Sequence, residues 1–262
     1  LDPSSFYLQG KEGRRVTPYK EDWELEKELE RIPDNESVKY YVNGFEHPMI
    51  PVITAEDPLK IQFLEWGLIP SWTKDRDAAH KLSSQTINAR AETVFDKPAF
   101  RNPARYRRCI VIIDAFFEYY HFNESTYPFH VSLKSGEPML VAGVYDTWIA
   151  NDTGEIRETV SIITTKANPL MKIIHNNPKS NEPRMPAIFE KGKEREWMMP
   201  ASGVAGIQKL KELLVPYPES RMIAYPVGKL RGKEGSGNTE KAIERKVYPE
   251  LEFLKLSDLI TV

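Results

Sequence analysis

Cys109-Ile110-Val111-Ile112-Ile113-Asp114-Ala115-Phe116-Phe117-Glu118 sets the fold class of this chain. The first five residues are β-branched or small and apolar, and Asp114 stops the run at strand length, far short of the 18 or so apolar residues a membrane helix needs. Similar runs recur on both sides. Val38 to Val42, Met49 to Ile53, Ile61 to Leu64, Phe129 to Leu133, Met139 to Tyr145 and Val160 to Thr165 are β-rich and bounded by Gly, Pro or Asn. Their spacing is irregular and long helical patterns between them are scarce, which disfavours a doubly wound parallel sheet. The reading is α+β: a mixed, mostly antiparallel, barrel-like sheet with peripheral helices.

Helical signals sit outside these runs. Tyr19 to Arg31 carries Trp23, Leu25 and Leu29 at helical spacing and stops at Pro33-Asp34-Asn35, which predicts a surface helix. Asn168 as N-cap and Pro169 at the first helical position predict a short helix that delivers His175 at its end. Glu194 to Met199 and Val204 to Leu214 read as further helices, and Arg231 to Thr239, rich in Gly, Lys and Ser, as a loop. Nothing in the composition divides the chain, so residues 1–262 are read as one domain, with 1–39 as a loosely attached amino-terminal cap.

The chain has 262 residues, 40% of them hydrophobic, and a formal charge of −2, so a simple basic nucleic-acid binder is disfavoured and local clusters must carry any such role. Arg101, Arg105, Arg107 and Arg108 form one cluster and Lys74 with Arg76 another, although a solvated loop reads the same way. A single cysteine excludes an internal disulfide and any multi-cysteine metal site, in keeping with a reducing compartment. His47, His80, His121 and His130 have no ligand spacing, so neither metal nor cofactor is expected. The first residues lack a basic and apolar leader, and a cytoplasmic, monomeric protein is expected, nucleoid-associated if bacterial.

Four islands carry the chemistry. Trp66-Gly67-Leu68-Ile69-Pro70-Ser71-Trp72 presents two flat rings that could stack on bases, one expected packed and one exposed; core packing of both is the competing reading. Asn88-Ala89-Arg90-Ala91-Glu92 combines small residues with a guanidinium that can fork onto a phosphate, or else pair with Glu92. Asp114 to Glu118 places a carboxylate among aromatics, where burial would raise its pKa, unless Arg107 or Arg108 satisfies it. Asp114 itself reads as structural. His175 stands ahead of Arg184-Met185-Pro186, and Asn43-Gly44 follows a Tyr-rich strand but also fits a simple turn.

In order and wording, these islands resemble the SOS-response-associated peptidase family from about Tyr40 to Phe189 and again at Tyr225-Pro226-Val227. The resemblance implies a protein that binds single-stranded DNA and covalently traps abasic sites. It assigns catalytic roles to Glu118 and His175, positioning of the nucleophile to Asn43, and DNA contacts to Trp66, Trp72, Asn88 and Arg90. Ser71 and Thr164 are further phosphate-contact candidates. Family members carry a His-x-Arg-Met-Pro segment, whereas here Asn176 to Pro183 intervene, so the insertion either bulges outward or displaces His175.

The family nucleophile is a cysteine exposed at the amino terminus. Its amine would form an imine with the sugar aldehyde and its thiol would close a thiazolidine. Here residue 1 is leucine and no cysteine precedes Cys109, so the expectation is a preceding segment that bears it. Two other readings remain: a binding-only module, and a cysteine peptidase acting on other proteins through Cys109 and His175. Against the latter, Cys109 begins an apolar strand where a thiol packs as a small hydrophobe.

Overall fold

A computed structural model describes residues 5–8, 39–179 and 182–254. The helix expected over 19–31 lies outside these residues, as does most of the cap. Two sheets form the body. The first has the order β12 (Met222–Pro226), β8 (Ser125–Leu133), β7 (Ala115–Phe122), β1 (Ser5–Leu8), β2 (Lys39–Asn43), with every neighbour antiparallel. The second runs β11 (Arg184–Pro186), β10 (Ile156–Lys166), β4 (Ile61–Trp66), β3 (Met49–Thr54), β6 (Arg108–Ile113), β9 (Met139–Ile149). Strand β9 pairs back onto β10, so this sheet closes into a ring rather than a complete barrel. Among the described residues only β4 and the short β5 (Asn88–Arg90) run parallel to β10. The α+β, mostly antiparallel architecture is thus the one expected.

The apolar run at 109–113 is explained by cover on both faces of β6. Cys109, Val111 and Ile113 pack into a core shared with Phe116, Phe129 and Val131 of the first sheet. Ile110 and Ile112 join a second core with Ala142, Ile163 and Trp197. Burying each large aliphatic or aromatic side chain contributes about 1.5–3 kcal/mol, so both faces stabilise the strand. Register places Gly143 of β9 opposite Cys109, and a Cβ there would stand 2.8 Å from its Sγ. The close packing of these strands therefore requires glycine at 143.

Helices α1 (Arg76–Gln85), α2 (Arg101–Tyr106), α3 (Pro169–Ile174), α4 (Lys193–Met198) and α5 (Gly203–Glu212) lie around the sheets. The arginine cluster divides accordingly. Arg108 is buried and donates to the carbonyls of Trp197 (2.7 Å), Ala104 (3.0 Å), Met199 (2.7 Å) and Arg105, clamping α4 and α2 to β6. Burial pushes its pKa down, and these carbonyls are what let the cation stay inside. Arg107 pairs with Asp146, and the exposed Arg76 with Asp152 and Glu155, so Arg76, Arg107 and Arg108 are engaged within the protein while Lys74, Arg101 and Arg105 stay exposed. Among the described residues no helix is long and apolar enough to cross a membrane.

Candidate active site and strand-binding face

The sequence reading ends a strand at Ile113 and leaves Ala115 to Glu118 as an island; the chain instead turns at Asp114 and enters β7. Alternation along β7 turns Phe116 and Tyr120 toward the shared core and Phe117 to the opposite face, so Glu118 points inward. Helix α3 supplies the partner. Asn168 Oδ1 accepts from Met171 N (2.8 Å) and its Nδ2 donates to Tyr217 O (2.7 Å), while Leu170, Met171 and Ile174 are buried beneath. The helix ends with His175 N donating to Met171 O (2.8 Å), which swings the imidazole back over β7. Its Nδ1 lies 3.0 Å from Glu118 Oε2, and both side chains are almost fully buried. The other carboxylate oxygen accepts from Tyr119 N (3.0 Å). In the tautomer that carries its proton on Nδ1, the ring donates to this carboxylate. Neither Arg107 nor Arg108 takes Glu118.

The insertion after His175 leaves this pair together. Asn176 Nδ2 donates to His121 O (2.8 Å) and its Oδ1 accepts from His121 N (2.7 Å), tying the first inserted residue to β7. The far end returns to the ring where Pro183 O accepts from Ala167 N (3.0 Å).

Asn43 closes β2. Its Oδ1 accepts from Phe45 N (3.1 Å) and its Nδ2 donates to Glu46 Oε1 (3.3 Å), capping a 3-10 turn over Gly44–Glu46. Gly44 is compelled by closeness: a Cβ would meet Ile87 Cγ2 at 2.9 Å and the Trp66 ring at 3.1 Å. Ser5 of β1 pairs with Asn43, and Tyr7 and Phe6 pair with Ala115 and Phe116. Followed backwards from Tyr7, β1 thus advances along β7 in the direction of Glu118, with Asn43 on its other side.

Trp66 corrects one expectation. Its ring is 0% exposed, and Nε1 donates to Ile87 O (2.9 Å), so it is a core residue that cannot stack on a base. Trp72 is 55% exposed, presented by a firmly bonded turn. Thr73 N donates to Pro70 O (2.9 Å), Ser71 N donates to Asp146 Oδ2 (2.8 Å), and Ser71, the residue before Trp72, is exposed. Gly67, at φ 121°, starts this loop, and a Cβ would stand 2.6 Å from His47 Nδ1, the nitrogen that meets Trp66 O at 2.8 Å.

Thr164 corrects another. It is buried, donating to Ala89 O (3.3 Å) and accepting from Arg184 Nε (3.1 Å), which leaves it no access to a phosphate. Asn88 is half-buried on β5, Ala89 is buried, and Arg90 is 62% exposed with Nη1 3.8 Å from Glu182 Oε2. The competing reading, an Arg90–Glu92 pair, does not form. Glu92 is held by Arg184 at 2.8 Å, and although burial pushes its carboxyl up, these bonds keep it below the usual carboxylate range. Arg184 is the residue the sequence reading left without a role; the Arg-Met-Pro motif was its only signal.

A family model described as "SOS response associated peptidase (SRAP)" matches residues 13–233. The chain belongs to the SRAP family. Among its relatives is the abasic site processing protein YoaM of Bacillus subtilis, 38% identical over 178 residues, 68% of this chain and 72% of YoaM. YoqW of the same organism, likewise named an abasic site processing protein, is 36% identical over 200 residues, 76% and 83% of the two chains. A crystal structure of a Bacteroides thetaiotaomicron protein is similar at a TM-score of 0.71 with 36% identity, covering 80% of this chain and 86% of the other. A Bordetella bronchiseptica structure, 24% identical at a TM-score of 0.66, covers 86% and 99% and shares the fold.

In this SRAP chain the lone thiol is remote from the surface. Cys109 is fully buried, and burial pushes its pKa up, which opposes formation of the thiolate that peptidase chemistry would need. No group of three or more His, Cys, Asp or Glu among the described residues could hold a metal ion.

Proposed function

We propose that this SRAP protein processes abasic sites in single-stranded DNA by covalent capture through an amino-terminal cysteine. The observation that carries the reading is the buried Glu118–His175 pair, with β1 leading past Asn43 toward it. A strand would lie across Trp72, Ser71, Asn88 and Arg90. Stacking on Trp72 is indifferent to base identity, and Arg90 offers a fork to one phosphate.

The α-amine attacks the C1′ aldehyde of the ring-opened sugar, and loss of water gives an imine. The thiol then adds across the C=N bond, sulfur to carbon and its proton to nitrogen, closing a thiazolidine. Glu118 and His175 move protons at the sugar oxygen as the ring opens and as the adduct reverses. Asn43 orients the incoming amine, and self-cleavage of the peptide bond ahead of the cysteine would unmask it.

The test uses the processed protein bearing that cysteine, mixed with a single strand containing one abasic site and resolved on a denaturing gel. A shifted band that vanishes on Cys→Ser at the terminus is expected. Salt-sensitive binding without any shifted band would reduce the protein to a binding module.

A further inference from the structure

The insertion between His175 and Arg184 carries its own anion. Glu182 Oε2 lies between two guanidiniums, 3.2 Å from Arg184 Nη1 and 3.8 Å from Arg90 Nη1. The two cations differ in what holds them. Arg184 is buried and fixed by Glu92 Oε2 (2.8 Å), Thr164 O (2.7 Å) and Thr164 Oγ1 (3.1 Å), so it keeps a carboxylate partner whatever Glu182 does. Arg90 is exposed and meets Glu182 only at long range, across a gap that solvent reaches. A guanidinium that pairs with a carboxylate oxygen can pair with a phosphate oxygen in the same way.

We propose that Glu182 is a displaceable stand-in for a DNA phosphate. Its carboxylate fills the seat at Arg90, and a strand docks there only by turning that side chain out to water. The inference rests on Arg90 as a phosphate contact, and it adds a residue that tunes affinity on a segment absent from the family's His-x-Arg-Met-Pro pattern. Displacement gives up the 3.2 Å contact to Arg184 as well as the long one to Arg90, but it leaves no buried charge unpaired, because Arg184 retains Glu92, so the barrier is small. Glu182 should therefore weaken strand binding by about 1.4- to 5-fold. It should also flatten the salt dependence, since the phosphate replaces an internal anion instead of releasing a counterion; each freed phosphate contact adds about −0.7 to the slope on a single strand.

The experiment is fluorescence anisotropy of a short labelled oligothymidylate against salt, for the wild type, Glu182→Gln, Arg90→Ala and the double variant. Glu182→Gln is expected to tighten binding about 1.4- to 5-fold and steepen the slope, with both gains lost on the Arg90→Ala background. If Arg90→Ala weakens binding while Glu182→Gln changes nothing, the stand-in is wrong and the phosphate contact stands. If Arg90→Ala has no effect, the contact itself is wrong and the stand-in falls with it. A gain that persists in the double variant marks a general charge effect and also overturns the proposal.

Discussion

Asn176 and His121 exchange two hydrogen bonds, the side-chain amide of one serving as a strand partner to the backbone of the other. This is what holds His175 over β7 while the chain leaves on an insertion. Asn176→Ala removes both bonds, each worth about 0.5–1.5 kcal/mol, at an exposed site. We expect a drop of about 1 kcal/mol in stability and a larger loss in crosslinking rate; equal crosslinking in wild type and variant would show that the clamp does not position the imidazole.

Glu118→Gln keeps the shape of the buried pair but cannot cycle a proton. Crosslinking, followed by denaturing gel against time, should slow about 10²–10⁴-fold while strand affinity is unchanged. His175→Ala should slow it similarly and also lower the melting temperature, because it strands a buried carboxylate.

The two tryptophans should separate by assay. Trp72→Ala is expected to weaken oligothymidylate binding by about 1–3 kcal/mol with little effect on melting. Trp66→Ala should cost about 3–5 kcal/mol of stability through the cavity it leaves. The reverse pattern would place the stacking ring inside the core and sink the assignment.

Native Cys109 should resist alkylation by iodoacetamide and react once the protein is unfolded, since the thiol is buried and its pKa raised. Rapid labelling of the folded protein would revive a peptidase centred on this residue.

His130, buried between Phe117 and Tyr225, has its pKa pushed down to about 4 by desolvation, against 6.5 for a free imidazole. The folded state therefore binds fewer protons than the unfolded chain between these values. Its contribution is fully present above pH 6.5 and is lost as pH falls toward 4, about 2 kcal/mol by pH 5. In chemical denaturation from pH 7 to 5, His130→Phe should remove that share of the decline. An unchanged pH dependence would locate acid sensitivity elsewhere.

Much of the frame was legible because β-branched runs and a side-chain N-cap are local signals. Asn168 and Pro169 started α3 where expected, and His175 fell at its end. Strand β7 was missed because Asp114 breaks the apolar run, yet that residue is only the bend between two sheets. That one tryptophan would pack and one emerge was readable; which one depended on β4 continuing through Trp66. The Arg184–Glu92 pair and the Asn176 clamp join residues 92 and 55 positions apart, and no local pattern carries such information.

Because Ser5 lies opposite Asn43 and β1, followed backwards, runs along β7 in the direction of Glu118, the leading end of the strand aims at the Glu118–His175 pair. On the proposed function, recombinant handles placed at the front of this protein would crowd the Glu118–His175 pair, and purification schemes should carry their tags at the other end.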